Sequence, residues 1–180
     1  MAEMEMPPAV AGGRQTWTRA SLPPDAGRRR LDEVCLGELR AAVETMRANP
    51  LPVLALSPDD FELPACRGLM SEVQRVLDDG VGFVVLDRLP LEHLAPDEAV
   101  YCYWLLGRLL ARPVAQTWDG TMVYDVLDTG RPPGNGVRPD KTNAEQNFHT
   151  DNSYNLCPPE YVGLLCLETA MEGGISRIVS

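Results

Sequence analysis

Residues 147–168 read NFHTDNSYNLCPPEYVGLLCLE, and the fold and chemistry of the chain turn on this stretch. His149 and Asp151 are two positions apart in a segment of extended character, so both side chains leave one face of the backbone while Thr150 leaves the other. An imidazole and a carboxylate on one face can chelate a single ion. They form two-thirds of the facial set that holds iron(II) and leaves coordination positions open. The triplet alone says little: with two histidines in 180 residues, composition by itself yields a His-x-Asp in about one chain in seven. Its competing reading is a loop histidine capped by a carboxylate. The residues that follow carry more. Pro158 and Pro159 end the segment, Tyr161 to Leu167 is a short apolar run that reads as a strand, and Gly173-Gly174 makes a turn into Ile175 and Ser176.

Working back from the motif, the stretch Asp128 to Asn147 is a long Gly/Pro loop, and loops of this length in a compact domain are usually lids or binding loops. Arg131, Arg138 and Lys141 within it can meet an anionic group or simply face solvent. MVYDVLD, residues 122–128, reads as a strand. Ahead of it, Pro96 with Asp97 and Glu98 starts a helix that reaches Pro113, with Tyr103 and Trp104 assigned to packing. GFVVLD, residues 82–87, reads as a buried strand. Two earlier helices are expected, over 36–49 with Leu36, Leu39, Val43 and Met46 on one face, and over 65–79 with Leu69, Val73, Val76 and Leu77, capped by Gly80. Residues 1–30, rich in Pro, Gly and Arg without a period, are expected to be a disordered leader with an anchor at Trp17. The domain proper spans 31–180. Helices first and strands after give an α+β chain.

Composition narrows the class. At 44% hydrophobic residues the chain can bury a core of its own, and its length suits one domain. A net charge of -10 has the wrong sign for nucleic acid or an anionic membrane surface. The most apolar stretch, VYCYWLLGRLLA, is interrupted by Gly107 and Arg108, and the first thirty residues lack the apolar core of a secretory signal, so a cytoplasmic protein is expected. Five cysteines (Cys35, Cys66, Cys102, Cys157, Cys166) without a C-x-x-C pair suit neither a disulfide framework nor a zinc site, and reduced, mostly buried thiols are expected.

From Gln146 to Ser180 the chain resembles the taurine dioxygenase (TauD/TfdA) family of iron(II)- and 2-oxoglutarate-dependent oxygenases. The resemblance rests on His149-Thr150-Asp151, Pro158-Pro159, the apolar run 161–167 and Gly173-Gly174-Ile175-Ser176, in that order and spacing. It implies a double-stranded β-helix, a jelly roll of the clavaminate synthase-like type, with the N-terminal helices packed outside. His149 and Asp151 would bind Fe(II), and Ser176 would donate its hydroxyl to a carboxylate of the cosubstrate 2-oxoglutarate. The family more often has threonine at that position, preceded by an acidic residue where this chain has Ile175. The reaction implied is hydroxylation of a small molecule with O2, releasing succinate and carbon dioxide.

The family's distal histidine and the arginine that meets the far carboxylate fall downstream of Ser180. This chain is therefore expected to be the N-terminal part of a longer protein and to be inactive by itself. His93, ahead of the third helix, stands in the wrong order for a ligand, and Arg177 faces away from Ser176 on a strand. Asn147 and Asn152 are the candidates for hydrogen bonds behind the ligands. Two other readings compete: a non-catalytic jelly-roll module that binds a ligand or partner without turnover, and a zinc hydrolase built on His149 and Asp151. Substrate identity is not legible, and self-association into a homo-oligomer is left open.

Overall fold

The computed structural model describes residues 15–134 and 136–180. Its frame is helical. Strand β1 (Arg28–Arg30) leads into helix α1 (Glu33–Ala48), two single turns of 3-10 helix (Val53–Ala55 and Pro58–Asp60), helix α2 (Pro64–Asp79), strand β2 (Val85–Asp87), a further 3-10 turn (Leu91–His93) and helix α3 (Pro96–Leu110). A last 3-10 turn covers Pro139–Lys141. The two strands pair in parallel, Arg28 with Val85 and Arg30 with Asp87.

Each helix begins where a local device satisfies its free N–H groups. Asp32 Oδ1 accepts from Cys35 N at 2.8 Å to start α1. At α3, Glu98 reaches back to Ala95 N at 2.8 Å, with Pro96 in the first turn. Leu63 at the start of α2 has no capping side chain. There Glu38 of α1 supplies the acceptors, at 2.8 Å from Ala65 N and 2.9 Å from Cys66 N. At its other end α2 stops at Gly80, whose backbone passes so close to the Val76 carbonyl that a Cβ would lie 2.7 Å from that oxygen. Helix α3 is held to α1 by Arg47, whose guanidinium meets both carboxylate oxygens of Glu98 at 2.6 and 2.9 Å.

The three helices enclose one core. Leu39, Val43 and Met46 of α1 meet Cys66, Met70 and Val73 of α2 and Cys102, Trp104, Leu105 and Leu106 of α3, with Leu56 and Leu63 from the connection closing the cluster. Trp104 is buried as expected for a packing residue, and its indole N–H donates to the Leu56 carbonyl at 3.1 Å. Three cysteines, Cys35, Cys66 and Cys102, are buried and free, whereas Cys157 and Cys166 are free and exposed. Among the described residues every fully buried one lies between Gly27 and Leu106.

Two expectations are corrected. Residues 15–30 belong to the folded unit: Gln15 and Trp17 bond to the end of α2, and Gly27 (φ 71°) packs against Phe83 so closely that a Cβ would sit 2.7 Å from its ring. The composition of this stretch hides the fit because its contacts are mostly backbone hydrogen bonds and one aromatic ring. Residues 1–14 lie outside the described residues. The strands expected over 122–128, 161–168 and 175–180 are absent as paired strands. Their backbone has no ladder partner among the described residues, where the isolated bridge between Gly134 and Val137 lies outside all three segments, and an extended segment without a partner is not a strand. The apolar side chains of these segments stand exposed instead, Leu164 at 79% and Ile175 at 76%. No helix among the described residues is long and apolar enough to cross a membrane.

Candidate metal site

The segment after α3 reaches the motif through a loop that folds back on itself. Leu127 N donates to the Asp140 carbonyl at 3.2 Å and Thr129 N to the Lys141 carbonyl at 3.1 Å. Arg138 and Lys141 both lie over the ring of Tyr124, at 5.6 and 5.3 Å from its centroid, and Arg138 pairs with Asp140 at 2.9 Å. The Asp140 carboxylate, and to a smaller extent the Tyr124 hydroxyl, raise the Arg138 guanidinium above its usual range. Two of the three cations of this loop are thus engaged within it.

At the motif the backbone takes one extended step from His149 to Asp151 and then turns. Asn152 has φ of 50°, in the left-handed region that asparagine tolerates, and Asn155 N donates to its carbonyl at 2.9 Å. The regular strand expected here is replaced by this turn. The two candidate ligands meet all the same: His149 Nε2 lies 3.3 Å from Asp151 Oδ1, both side chains about half exposed.

The other ring nitrogen defines the chemistry. His149 Nδ1 is 2.7 Å from the main-chain carbonyl oxygen of Asn147. A carbonyl only accepts, so Nδ1 is the donor in that bond, and Nε2 is the ring nitrogen that faces the Asp151 carboxylate. Either a proton on Nε2 or a cation between the two groups brings them together with favourable electrostatics. A metal ion with bonds of about 2.1 Å at right angles would hold its two donors about 3.0 Å apart. The observed separation is within a few tenths of an ångström of that spacing, and an imidazole nitrogen with a carboxylate oxygen is a donor set suited to iron(II). Among the described residues no group of three or more His, Cys, Asp or Glu side chains stands together, so the pair is the whole of the donor set there.

The remaining candidates fall as follows. Ser176 is exposed, and the residue beside it, Arg177, bonds Glu145 at 2.8 Å, which ties its segment to the stretch leading into the motif. Arg177 is engaged with that acid and is not directed as a carboxylate clamp. His93 is exposed in its 3-10 turn, 4.0 Å from Glu92. Asn147 contributes its backbone carbonyl to His149, and Asn152 accepts from the Tyr154 hydroxyl at 3.2 Å without bonding either ligand. The run after Pro158-Pro159 lies across α2 and α3: Tyr161 donates to Asp78 at 2.5 Å, and a Cβ on Gly163 would stand 2.7 Å from the Tyr103 hydroxyl. The Asn147 carbonyl and the Glu145–Arg177 pair left no signal in the sequence, the first because it is main chain and the second because it joins exposed residues 32 positions apart.

Comparison with known proteins agrees with the motif. The taurine catabolism dioxygenase TauD, TfdA family matches residues 48–180, which begins at the last residue of α1 and takes in α2, α3, the loop and the His149–Asp151 pair. FR-33289 synthase of Streptomyces rubellomurinus (strain ATCC 31215) is 29% identical over 172 residues, covering 93% of this chain and 49% of that protein. The chain therefore spans about half the length of the curated relative it matches. On the extent of the family match, across most of the chain and through the motif itself, this protein belongs to the TauD/TfdA family.

Proposed function

We propose that this chain carries the first two iron ligands, His149 and Asp151, of a non-haem iron(II)- and 2-oxoglutarate-dependent dioxygenase that hydroxylates a small molecule. The observation that carries the reading is the 3.3 Å approach of His149 Nε2 to Asp151 Oδ1 with Nδ1 held by the Asn147 carbonyl. Family membership supports the cosubstrate and the jelly-roll scaffold on which such sites are built.

Within this reading each residue has a defined task. His149 would give the Nε2 lone pair to the metal while its Nδ1–H donates to the Asn147 carbonyl, which fixes the orientation of the ring. Asp151 would neutralise one of the two positive charges. Ser176 would donate its hydroxyl hydrogen to a carboxylate oxygen of 2-oxoglutarate. The loop 128–147 leads into the site. When bound, iron(II) with 2-oxoglutarate and O2 would supply the oxidative decarboxylation that yields succinate and carbon dioxide, with one oxygen atom of O2 entering succinate and the other a C–H bond of the substrate. We assign the third protein ligand, and the arginine that meets the far carboxylate, to the half of the relative's length that this chain does not match.

The test is anaerobic addition of iron(II) and then 2-oxoglutarate to the full-length protein, read as a metal-to-ligand charge-transfer band in the visible. The band is expected with wild type and is lost with His149→Ala and Asp151→Ala. A protein without the band, in which His149→Ala binds iron(II) as wild type does, is a non-catalytic module and sinks the proposal. The 180-residue chain alone is expected to release no succinate above background.

A further inference from the structure

The stretch 15–30 does more than extend the sheet, and Trp17 reaches the far end of the chain. Trp17 is anchored on its ring side by two neighbours. Its indole N–H donates to the Val81 carbonyl at 2.9 Å, and its ring stands edge-on to Phe83 with centroids 5.5 Å apart. Next to it, Gln15 Nε2 donates to the carbonyls of Leu77 and Asp78 at 2.9 and 3.2 Å, filling acceptors left open at the end of α2. The backbone side of the same residue holds another segment. Trp17 N donates to Ser180 Oγ at 3.1 Å, and Ser180 Oγ donates to the Trp17 carbonyl at 2.8 Å.

Two contacts hold the chain just after Ser176. One is the Arg177–Glu145 bond, between exposed side chains and weak. The other is the Ser180 hydroxyl, tied by two hydrogen bonds to a residue that is itself held by Val81 and Phe83. The backbone from 175 to 180 has no ladder partner among the described residues, so these side-chain bonds set where it runs.

We infer that Trp17 is a positioning residue for Ser176: the strap 15–30 fixes the 175–180 segment against the end of α2, and so sets the place at which the Ser176 hydroxyl meets 2-oxoglutarate. The inference rests on the cosubstrate role proposed for Ser176. The metal pair is held separately, by the Asn147 carbonyl and the turn at Asn152, so loss of the strap leaves iron binding alone.

Two measurements on the full-length protein test it. In the absence of metal and cosubstrate, the backbone 15N order parameters of residues 175–180 should fall below about 0.6 in Trp17→Ala and in Ser180→Ala, while those of α1 and α3 stay as in wild type. Ser180→Ala keeps the indole packing, and so separates the strap from any general loss of folding in Trp17→Ala. Anaerobic titration of the iron(II) protein with 2-oxoglutarate should show an affinity about tenfold weaker in either variant, the loss of one hydroxyl hydrogen bond, with iron(II) affinity within threefold of wild type. In a Ser176→Ala background, Trp17→Ala should add nothing to that loss. Unchanged order parameters at 175–180 in both variants overturn the strap. Lowered order parameters with wild-type cosubstrate affinity, or losses that add to that of Ser176→Ala, overturn the positioning role. Failure of wild type itself to bind 2-oxoglutarate refutes the functional reading and the positioning role with it, and the order parameters then stand alone as a statement about the strap.

Discussion

Glu38→Ala should destabilise the protein more than any other exposed-face substitution on α1. Helix α2 begins at Pro64, which has no N–H, and Arg67 N already bonds the Leu63 carbonyl at 2.9 Å. The free donors of the first turn are therefore Ala65 N and Cys66 N, and Glu38 accepts from both. Removing a cap costs about 1 kcal/mol and up to about 2. Removing a carboxylate from the positive end of a helix adds about 0.3–1. The two together give about 2 kcal/mol for Glu38→Ala, and about 1 for Glu38→Gln, which keeps an acceptor oxygen but no charge. For a chain of this size that corresponds to a fall in Tm of about 4–8 °C for the alanine variant. Urea denaturation followed by helical circular dichroism measures it, with Glu44→Ala as control. Glu44 pairs with Arg47 at 2.6 Å but is 68% exposed, so its loss should cost under about 0.5 kcal/mol. If Glu38→Ala and Glu44→Ala shift the midpoint equally, the cross-helix cap contributes nothing and the accounting of donors is wrong.

Leu105 is fully buried between the helices, so Leu105→Ala should cost about 2–5 kcal/mol in the same denaturation experiment; a cost under 1 would mean the core closes around the gap. Titration with a thiol reagent should find two fast cysteines, Cys157 and Cys166, and three that react only on unfolding. Burial is the main force raising the thiol pKa of Cys35 and Cys66, and it pushes Cys102 up to about 12; five equally fast thiols would contradict the packing. Glu98 is held below the usual carboxylate range chiefly by the Arg47 guanidinium and then by Ala95 N, and Asp32 chiefly by Cys35 N. A depressed folded-state pKa stabilises above the unfolded value and is lost as pH falls through the folded one. Stability should therefore drop below about pH 4, and Glu98→Gln should flatten that drop; an unchanged acid limb in the variant argues against the Arg47–Glu98 contribution.

The helical half was legible because its signals are local. Pro96 with Asp97 and Glu98 at a helix start, Gly80 at a helix end and the three- and four-residue spacing of Leu39, Val43 and Met46 are all read within a single turn or two. The expected start of α1 at Leu36 misses by three residues because Asp32, and not the first apolar position, begins the helix. The strand reading over 82–87 held in part, as β2 at Val85–Asp87, while those after α3 failed for a different reason. Tyr161 to Leu167 has the side chains of a strand, but a strand is a property of two segments, and the described residues provide no second one. The His149-x-Asp151 pattern indicated that the two side chains share a face, and the 3.3 Å approach agrees. The turn at Asn152 and the carbonyl of Asn147 that orient them are backbone features, which side-chain patterns do not record. Residues 15–30 were misjudged because their packing runs through Trp17, Gln15 and the Gly27 approach to Phe83, three contacts in a stretch otherwise poor in apolar residues.

The confinement of fully buried residues to positions 27–106 bears on how this protein is made. A ribosome delivers a chain from its N-terminus, and domains fold as their segments emerge. By the time Leu110 has left the exit tunnel, every apolar side chain of the helical core is present, together with both members of the β1–β2 pair. The platform can therefore collapse while His149 and Asp151 are still being synthesised, and the segment that carries this pair arrives at a surface already shaped to receive Tyr161 and Gly163.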